Sequence, residues 1–156
     1  MLLYRLVRRP YAQQLDGRGG ALFGGRWNSV GLPVIYAAQH RSLAVLEYRV
    51  NNPLPVPDLT MVSIELPENS LQQFKIPDLP SNWASYSYNN PCAHLGDQWI
   101  KNQETLLLQV PSVVVPQEYN SIINPLHPQM KQVRVLDILP FMIDSRMHQA
   151  GDSDKN

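Results

Sequence analysis

The sequence predicts one α+β domain of mixed central β-sheets with a few short helices, and three observations carry that expectation. Apolar runs of β character outnumber helical stretches along the chain. Fourteen prolines in 156 residues are nearly double the usual share of roughly 5%. Most lie between apolar runs, which favours many short elements joined by stiff turns over long helices. The length suits a single domain, which at this size buries roughly two-thirds of its unfolded surface.

Residues 2–7 alternate as a strand does, with Leu3, Arg5 and Val7 on one face and Leu2, Tyr4 and Leu6 on the other. Asp16 to Gly31 holds six glycines and reads as a loop whose backbone can come close to a ligand. Val34–Ala38 is a short buried strand. Ser42 is the expected N-cap of a helix ending near Asn51, before Pro53. Leu59–Leu66 alternates with Val62, Ile64 and Leu66 inward, and Pro67 stops it. Pro67–Pro91 is rich in Pro, Ser and Asn and reads as an irregular excursion. A helix is expected from about Ala93 to Gln103, with Leu95, Trp99 and Asn102 along one side. Two β-rich runs follow, Thr105–Val110 and Ser112–Val115. A polar loop, Gln117–His127, leads to a last strand over Gln132–Ile138. The domain is expected over residues 1–143, with 144–156 a polar, frayed tail.

Thirteen basic residues balance thirteen acidic ones, so the chain lacks the electrostatic footprint of a protein whose main task is nucleic-acid binding. A local basic crowd remains in Arg5, Arg8, Arg9, Arg18 and Arg26. Cys92 is the single cysteine, which favours a reducing compartment. The opening MLLYRLVRRP has no apolar stretch long enough for a signal peptide, and no later run approaches a membrane span. A cytoplasmic protein is expected.

The histidines His40, His94, His127 and His148 form no i, i+4 pair and have no cysteine partner at zinc spacing, so no metal site is expected. No nucleophile elbow occurs around Ser112, and Cys92 reads as a small buried hydrophobe. The glycine-rich loop lacks both common nucleotide-binding spacings. Yet Gly24-Gly25-Arg26 sets flexible amides beside a guanidinium, a combination that suits an anion as well as a solvated turn. Glu47 is the odd residue. Leu43, Leu46, Glu47 and Val50 stand at i, i+3, i+4 and i+7, which places a carboxylate on the apolar stripe of a helix. It either pairs with Arg26 or Arg5 or faces a pocket.

The ordered run Gly24-Gly25-Arg26-Trp27-Asn28-Ser29, Val34-Ile35-Tyr36-Ala37 and Ser42-Leu43-Ala44-Val45-Leu46-Glu47 resembles the signature of the RES domain family. So does a second block, Val110-Pro111-Ser112-Val113-Val114-Val115-Pro116, then Asn120, then Asn124-Pro125-Leu126-His127-Pro128. Tyr4-Arg5 and the helix around Trp99 also fit, so the likeness covers about residues 2–140. It implies a fold like that of the mono-ADP-ribosyltransferase toxins and an activity that consumes NAD⁺. Carried onto this chain, the family's arginine, aromatic, glutamate and serine are Arg26, Tyr36, Glu47 and Ser112.

The implied chemistry is cleavage of the nicotinamide–ribose bond, by hydrolysis or phosphorolysis. Arg26, Tyr36 and Glu47 are then the catalytic candidates. Arg5, Gly25, Arg26, Tyr36, Ser112 and Asn120 are the candidates for binding NAD⁺. NAD⁺ enters as substrate and phosphate as a potential co-substrate, with no resident cofactor. Glu47 would stabilise oxocarbenium character on the ribose. Arg26 and Arg5 would hold the pyrophosphate, Tyr36 would stack on nicotinamide, and Ser112 would donate to the nucleotide. The resemblance also implies a cognate antitoxin with a helix-turn-helix region, DNA contact only through that complex, and a homodimer within a larger assembly. Two alternatives stay open: a transferase modifying a specific cellular protein, and a non-catalytic nucleotide-binding or interaction module.

Overall fold

The computed structural model describes residues 1–85 and 91–148. In chain order the elements are β1 (Leu2–Arg8), α1 (Arg18–Phe23), β2 (Ile35–Ala38), α2 (Arg41–Asn51), β3 (Leu59–Glu65) and β4 (Leu71–Gln73). Then come α3 (Pro91–Asn102), β5 (Leu107–Pro111), β6 (Tyr119–Ile123) and β7 (Arg134–Phe141), with short 3-10 turns between. The strands form one sheet ordered β4-β5-β6-β2-β1-β3-β7. Only β4 and β5 run parallel; the other neighbours are antiparallel. β1 pairs β3 along its whole length, from Leu2 opposite Glu65 to Arg8 opposite Leu59. It meets β2 at the single pair Tyr4–Ala38. The sheet is therefore two halves joined at a narrow seam.

Register decides what each face carries. Tyr36 and Ala38 lie opposite Ile122 and Asn120, which lie opposite Leu108 and Val110, so all six side chains share one face. Both longer helices cover that face. Leu43 and Ala44 of α2 pack with Leu6 and Ala38, and Cys92, Trp99 and Ile100 of α3 pack with Leu108, Val110 and Ile122. On the other face Leu3, Ile35, Ala37, Val62, Ile64 and Ile123 pack with Ala12, Leu106 and Val133.

Several expectations are corrected. α2 begins at Arg41, one residue before Ser42, and is entered from His40, with no side chain capping it. Val50 is 61% exposed, because the buried stripe of α2 is confined to Leu43 and Ala44. The glycine-rich loop contains α1 despite the poor helix propensity of glycine. There Gly20 lies so close to Val34 that a Cβ would come within 2.7 Å of its carbonyl oxygen. The buried side of α3 is Cys92, Gly96, Trp99 and Ile100, whereas Leu95 is half-buried and Asn102 exposed.

The excursion over 67–91 contains β4, which exists through its pairing with β5. Ser112–Val115 is a turn, because the Ser112 hydroxyl accepts the N–H groups of Val114 and Val115 at 3.0 Å each. The polar loop over 117–127 contains β6. β7 runs past Ile138 through Pro140, which a sheet edge tolerates. The start of the tail is held: Arg49 Nε donates to the Met147 carbonyl at 2.7 Å. Residues 149–156, and residues 86–90 of the excursion, lie outside the described residues.

Candidate active site

The Arg26 end of the site is built around the Tyr36 hydroxyl. Gly24, at φ 65°, turns the chain after α1, and Gly25 N–H then donates to the Asn28 carbonyl at 2.9 Å. The Tyr36 hydroxyl accepts the Trp27 N–H at 3.1 Å and donates to Asn28 Oδ1 at 2.8 Å. Gly25 is required by this packing, since a Cβ there would fall 2.5 Å from the same hydroxyl. Burial pushes the Tyr36 phenol well above its ordinary pKa, so it stays protonated and keeps donating. Asn28, fully buried, ties the loop down by donating to the carbonyls of Gly20, Ser29 and Leu32.

Tyr36→Phe would leave the Trp27 N–H and Asn28 Oδ1 without partners, at a cost of about 1–3 kcal/mol. A fall in Tm of at least about 2 °C is expected for a domain of this size. An unchanged calorimetric Tm would show that the hydroxyl does not hold the loop.

Arg26 reaches from this loop to the segment before α3. Its Nη1 donates to the carbonyls of Trp83 at 2.7 Å and Ser85 at 2.9 Å. The Nε–Nη2 edge, the fork that grips a phosphate, takes no part in those bonds. Trp27, Trp83 and Trp99 are all buried and form the wall of the core behind the loop.

The Glu47 end resolves the odd carboxylate. Glu47 is half-buried on α2, and its Oε1 accepts from the Ser112 hydroxyl at 2.7 Å and from Asn120 Nδ2. Both donors converge on one oxygen, and Oε2 takes neither. The ion pairs among the described residues are Met1–Glu68 and Arg146–Asp144, so neither Arg26 nor Arg5 is a salt-bridge partner of Glu47. Ser112, with no exposed surface, gives its one proton to Glu47 and accepts two backbone N–H groups. It positions the carboxylate and has no proton left for a nucleotide.

The sheet brings Tyr36, Asn120 and, through α2, Glu47 to one face beside the seam, and Arg26 approaches closely enough for its charge to act on Tyr36. Arg5 is not brought to them. It follows Tyr4 on β1 and so alternates to the opposite face, where its guanidinium donates to the carbonyls of Tyr11 at 3.0 Å and Gln14 at 3.1 Å. Burial holds its pKa below the ordinary arginine value, with Asp16 opposing. A cavity of about 390 Å³ lined by Arg9, Ala12, Gln13, Thr60, Ile138 and Pro140 contains none of the site residues.

Sequence reasoning quoted Asn28 in the signature run without giving it a role, and passed over Asp97 and Gly96. Asp97 accepts from the Ser29 N–H at 2.8 Å and hydroxyl at 2.6 Å, which fixes α3 to the loop. Gly96 lets α3 lie against Trp27. A glycine inside a helix pattern was the available signal for it; nothing local marks Asp97.

The family model of the RES domain matches residues 2–144. The chain belongs to the RES domain family. Among similar proteins, "Toxin Res" of Photorhabdus laumondii is 37% identical over 154 residues, 96% of this chain and 99% of that protein. The "Prs ADP-ribosylating toxin" of a Sphingobium species is 38% identical, covering 90% of this chain and 91% of that one. A chain from the crystal structure of the M. tuberculosis MbcT–MbcA toxin–antitoxin complex superposes with a TM-score of 0.68 at 16% identity. That match covers 90% of this RES domain and 83% of its counterpart, and it shows a shared fold. This RES domain is thus a toxin by family.

Proposed function

We propose that this RES domain toxin acts on NAD⁺ and breaks its nicotinamide–ribose bond. One observation carries the proposal. Glu47 presents a carboxylate held through a single oxygen by two neutral donors, with no cation paired to it among the described residues. A carboxylate facing a sheet is held by a cation, by hydrogen bonds or by both, and this one is held by hydrogen bonds alone, which leaves its charge uncompensated. An unmatched, oriented one suits a positive charge that appears only during reaction, and loss of nicotinamide creates that charge on the ribose. Arg26, whose Nε–Nη2 edge makes no hydrogen bond to a described residue, is the candidate for the pyrophosphate. The ring of Tyr36, whose hydroxyl is fixed, is the candidate surface for nicotinamide.

The relative named as an ADP-ribosylating toxin favours a second reading, transfer of ADP-ribose to a protein. Both begin with the same bond cleavage. Purified toxin, free of partner, is expected to release nicotinamide from NAD⁺, as followed by mass spectrometry with and without phosphate and with and without cell lysate. ADP-ribose in buffer alone selects hydrolysis, and a phosphorylated ADP-ribose selects phosphorolysis. Labelled protein bands select transfer. Unchanged NAD⁺ in every arm defeats all of these and leaves a binding module. The presence of a toxin–antitoxin complex among chains of this fold supports an antitoxin as partner, and a helix-turn-helix region in that antitoxin would account for any DNA contact.

A further inference from the structure

We infer that Glu118 is a second carboxylate of the site, the base that takes the proton of the acceptor when it attacks the ribose. The inference rests on the NAD⁺ reading and deepens it, since it assigns the acceptor to a neutral, protic class: water or a hydroxyl.

Its place follows from register. β5 and β6 pair antiparallel, with Val110 opposite Asn120 and Pro111 opposite Tyr119. One step beyond that last pair, the Ser112 N–H donates to the Glu118 carbonyl at 2.9 Å, while the Glu118 N–H closes the turn on the Val115 carbonyl at 2.9 Å. Residues directly opposite in an antiparallel ladder share a face, with Cβ atoms roughly 5 Å apart. Ser112 points its hydroxyl at Glu47, and alternation continued one step past the ladder directs Glu118 to the same side. Asn120, two residues on from Glu118, also reaches Glu47, which agrees with the alternation.

The carboxylate itself is unusual. Its Oε2 is shielded from solvent and has no hydrogen-bond partner among the described residues, while the residue as a whole is only half-buried. A shielded carboxylate oxygen that accepts from no donor is an open acceptor position beside the Glu47 contact. Other groups at the site are poorly suited to accept a proton. Arg26 carries only donors, the Tyr36 phenol keeps its proton, and Asn120 and Ser112 are donors already committed to Glu47. The oxygen of Glu47 that they leave over is the one assigned to the ribose charge.

The step balances as follows. The carbon–nitrogen bond breaks first, and the water oxygen then forms its bond to the anomeric carbon. The electron pair of the carbon–nitrogen bond goes to the pyridinium nitrogen and yields neutral nicotinamide. The proton released by water goes to the Glu118 carboxylate, and Glu47 faces the positive charge between the two events.

The test compares wild type, Glu118→Gln and Glu47→Gln for nicotinamide release, with and without azide, an anionic nucleophile that attacks without losing a proton. Glu118→Gln is expected to lower kcat at least 100-fold with KM for NAD⁺ within about twofold of wild type. Azide should restore turnover in that variant, with ADP-ribosyl azide as product, and should not restore Glu47→Gln. A kcat within threefold of wild type for Glu118→Gln overturns the assignment. So does a loss that azide fails to rescue, or one that appears in KM alone. If wild type itself releases no nicotinamide, the NAD⁺ reading falls first and this role falls with it.

Discussion

Glu47→Gln is expected to lower NAD⁺ turnover at least 1,000-fold, about 4 kcal/mol in the barrier, while the protein folds normally. The substitution is selective because a glutamine at position 47 keeps a carbonyl oxygen where Oε1 stands. Ser112 and Asn120 can still donate to it, so α2 remains anchored to β6 and to the turn after β5. What disappears is the negative charge. The same circular dichroism and a Tm within about 2 °C of wild type, together with lost nicotinamide release, would locate the effect in chemistry. A soluble Glu47→Gln protein that still turns over NAD⁺ would remove Glu47 from the mechanism.

Gly96→Ala is expected to be the most damaging single methyl in the molecule. A Cβ at position 96 would lie 1.8 Å from the Trp27 carbonyl oxygen and 2.7 Å from its carbonyl carbon. These are backbone atoms, held by the Trp27 N–H bond to Tyr36 and by the buried Asn28 beside them, so they cannot swing aside as a flexible side chain would. Either α3 lifts from the sheet or the loop shifts. Overpacking of this kind costs about 3 kcal/mol, which for a domain of this length corresponds to a Tm lowered by roughly 6–12 °C. Arg26, next in chain to Trp27, would be displaced with it, so activity should fall as well. A calorimetric Tm within 2 °C of wild type would show that α3 does not lie on the Trp27 backbone.

These two glycine and glutamate positions illustrate what the sequence could and could not disclose. The longer helices and β1, β2, β3 and β5 were legible because their apolar periodicity is their own. Leu43 and Ala44, or Val62 and Ile64, are buried by the element that carries them. β4 and β6 were hidden because their identity is borrowed from neighbours: Leu71–Gln73 is a strand only through β5, and Tyr119–Ile123 looks polar until Ser121 is seen buried. The valines after Ser112 misled in the opposite sense, since a single hydroxyl captures the N–H groups of Val114 and Val115 and bends the run into a turn.

At the site, the stripe argument found Glu47 from residue spacing alone but could not say what met it. Its partners lie 65 and 73 residues further on, a separation that no local pattern spans. Arg5 shows the reverse failure. Its charge near the chain's start looked suitable for a phosphate, and only strand alternation places it on the other face, bound to the carbonyls of Tyr11 and Gln14.

The long separation has a consequence for how the toxin is born. Glu47 leaves the ribosome well before Ser112 and Asn120 are synthesised, and until they emerge nothing aims its carboxylate. β6, which carries Asn120 and pairs with β2, is also among the last strands made. On the NAD⁺ reading, a nascent chain has no oriented carboxylate at position 47 until Ser112 and Asn120 have both emerged.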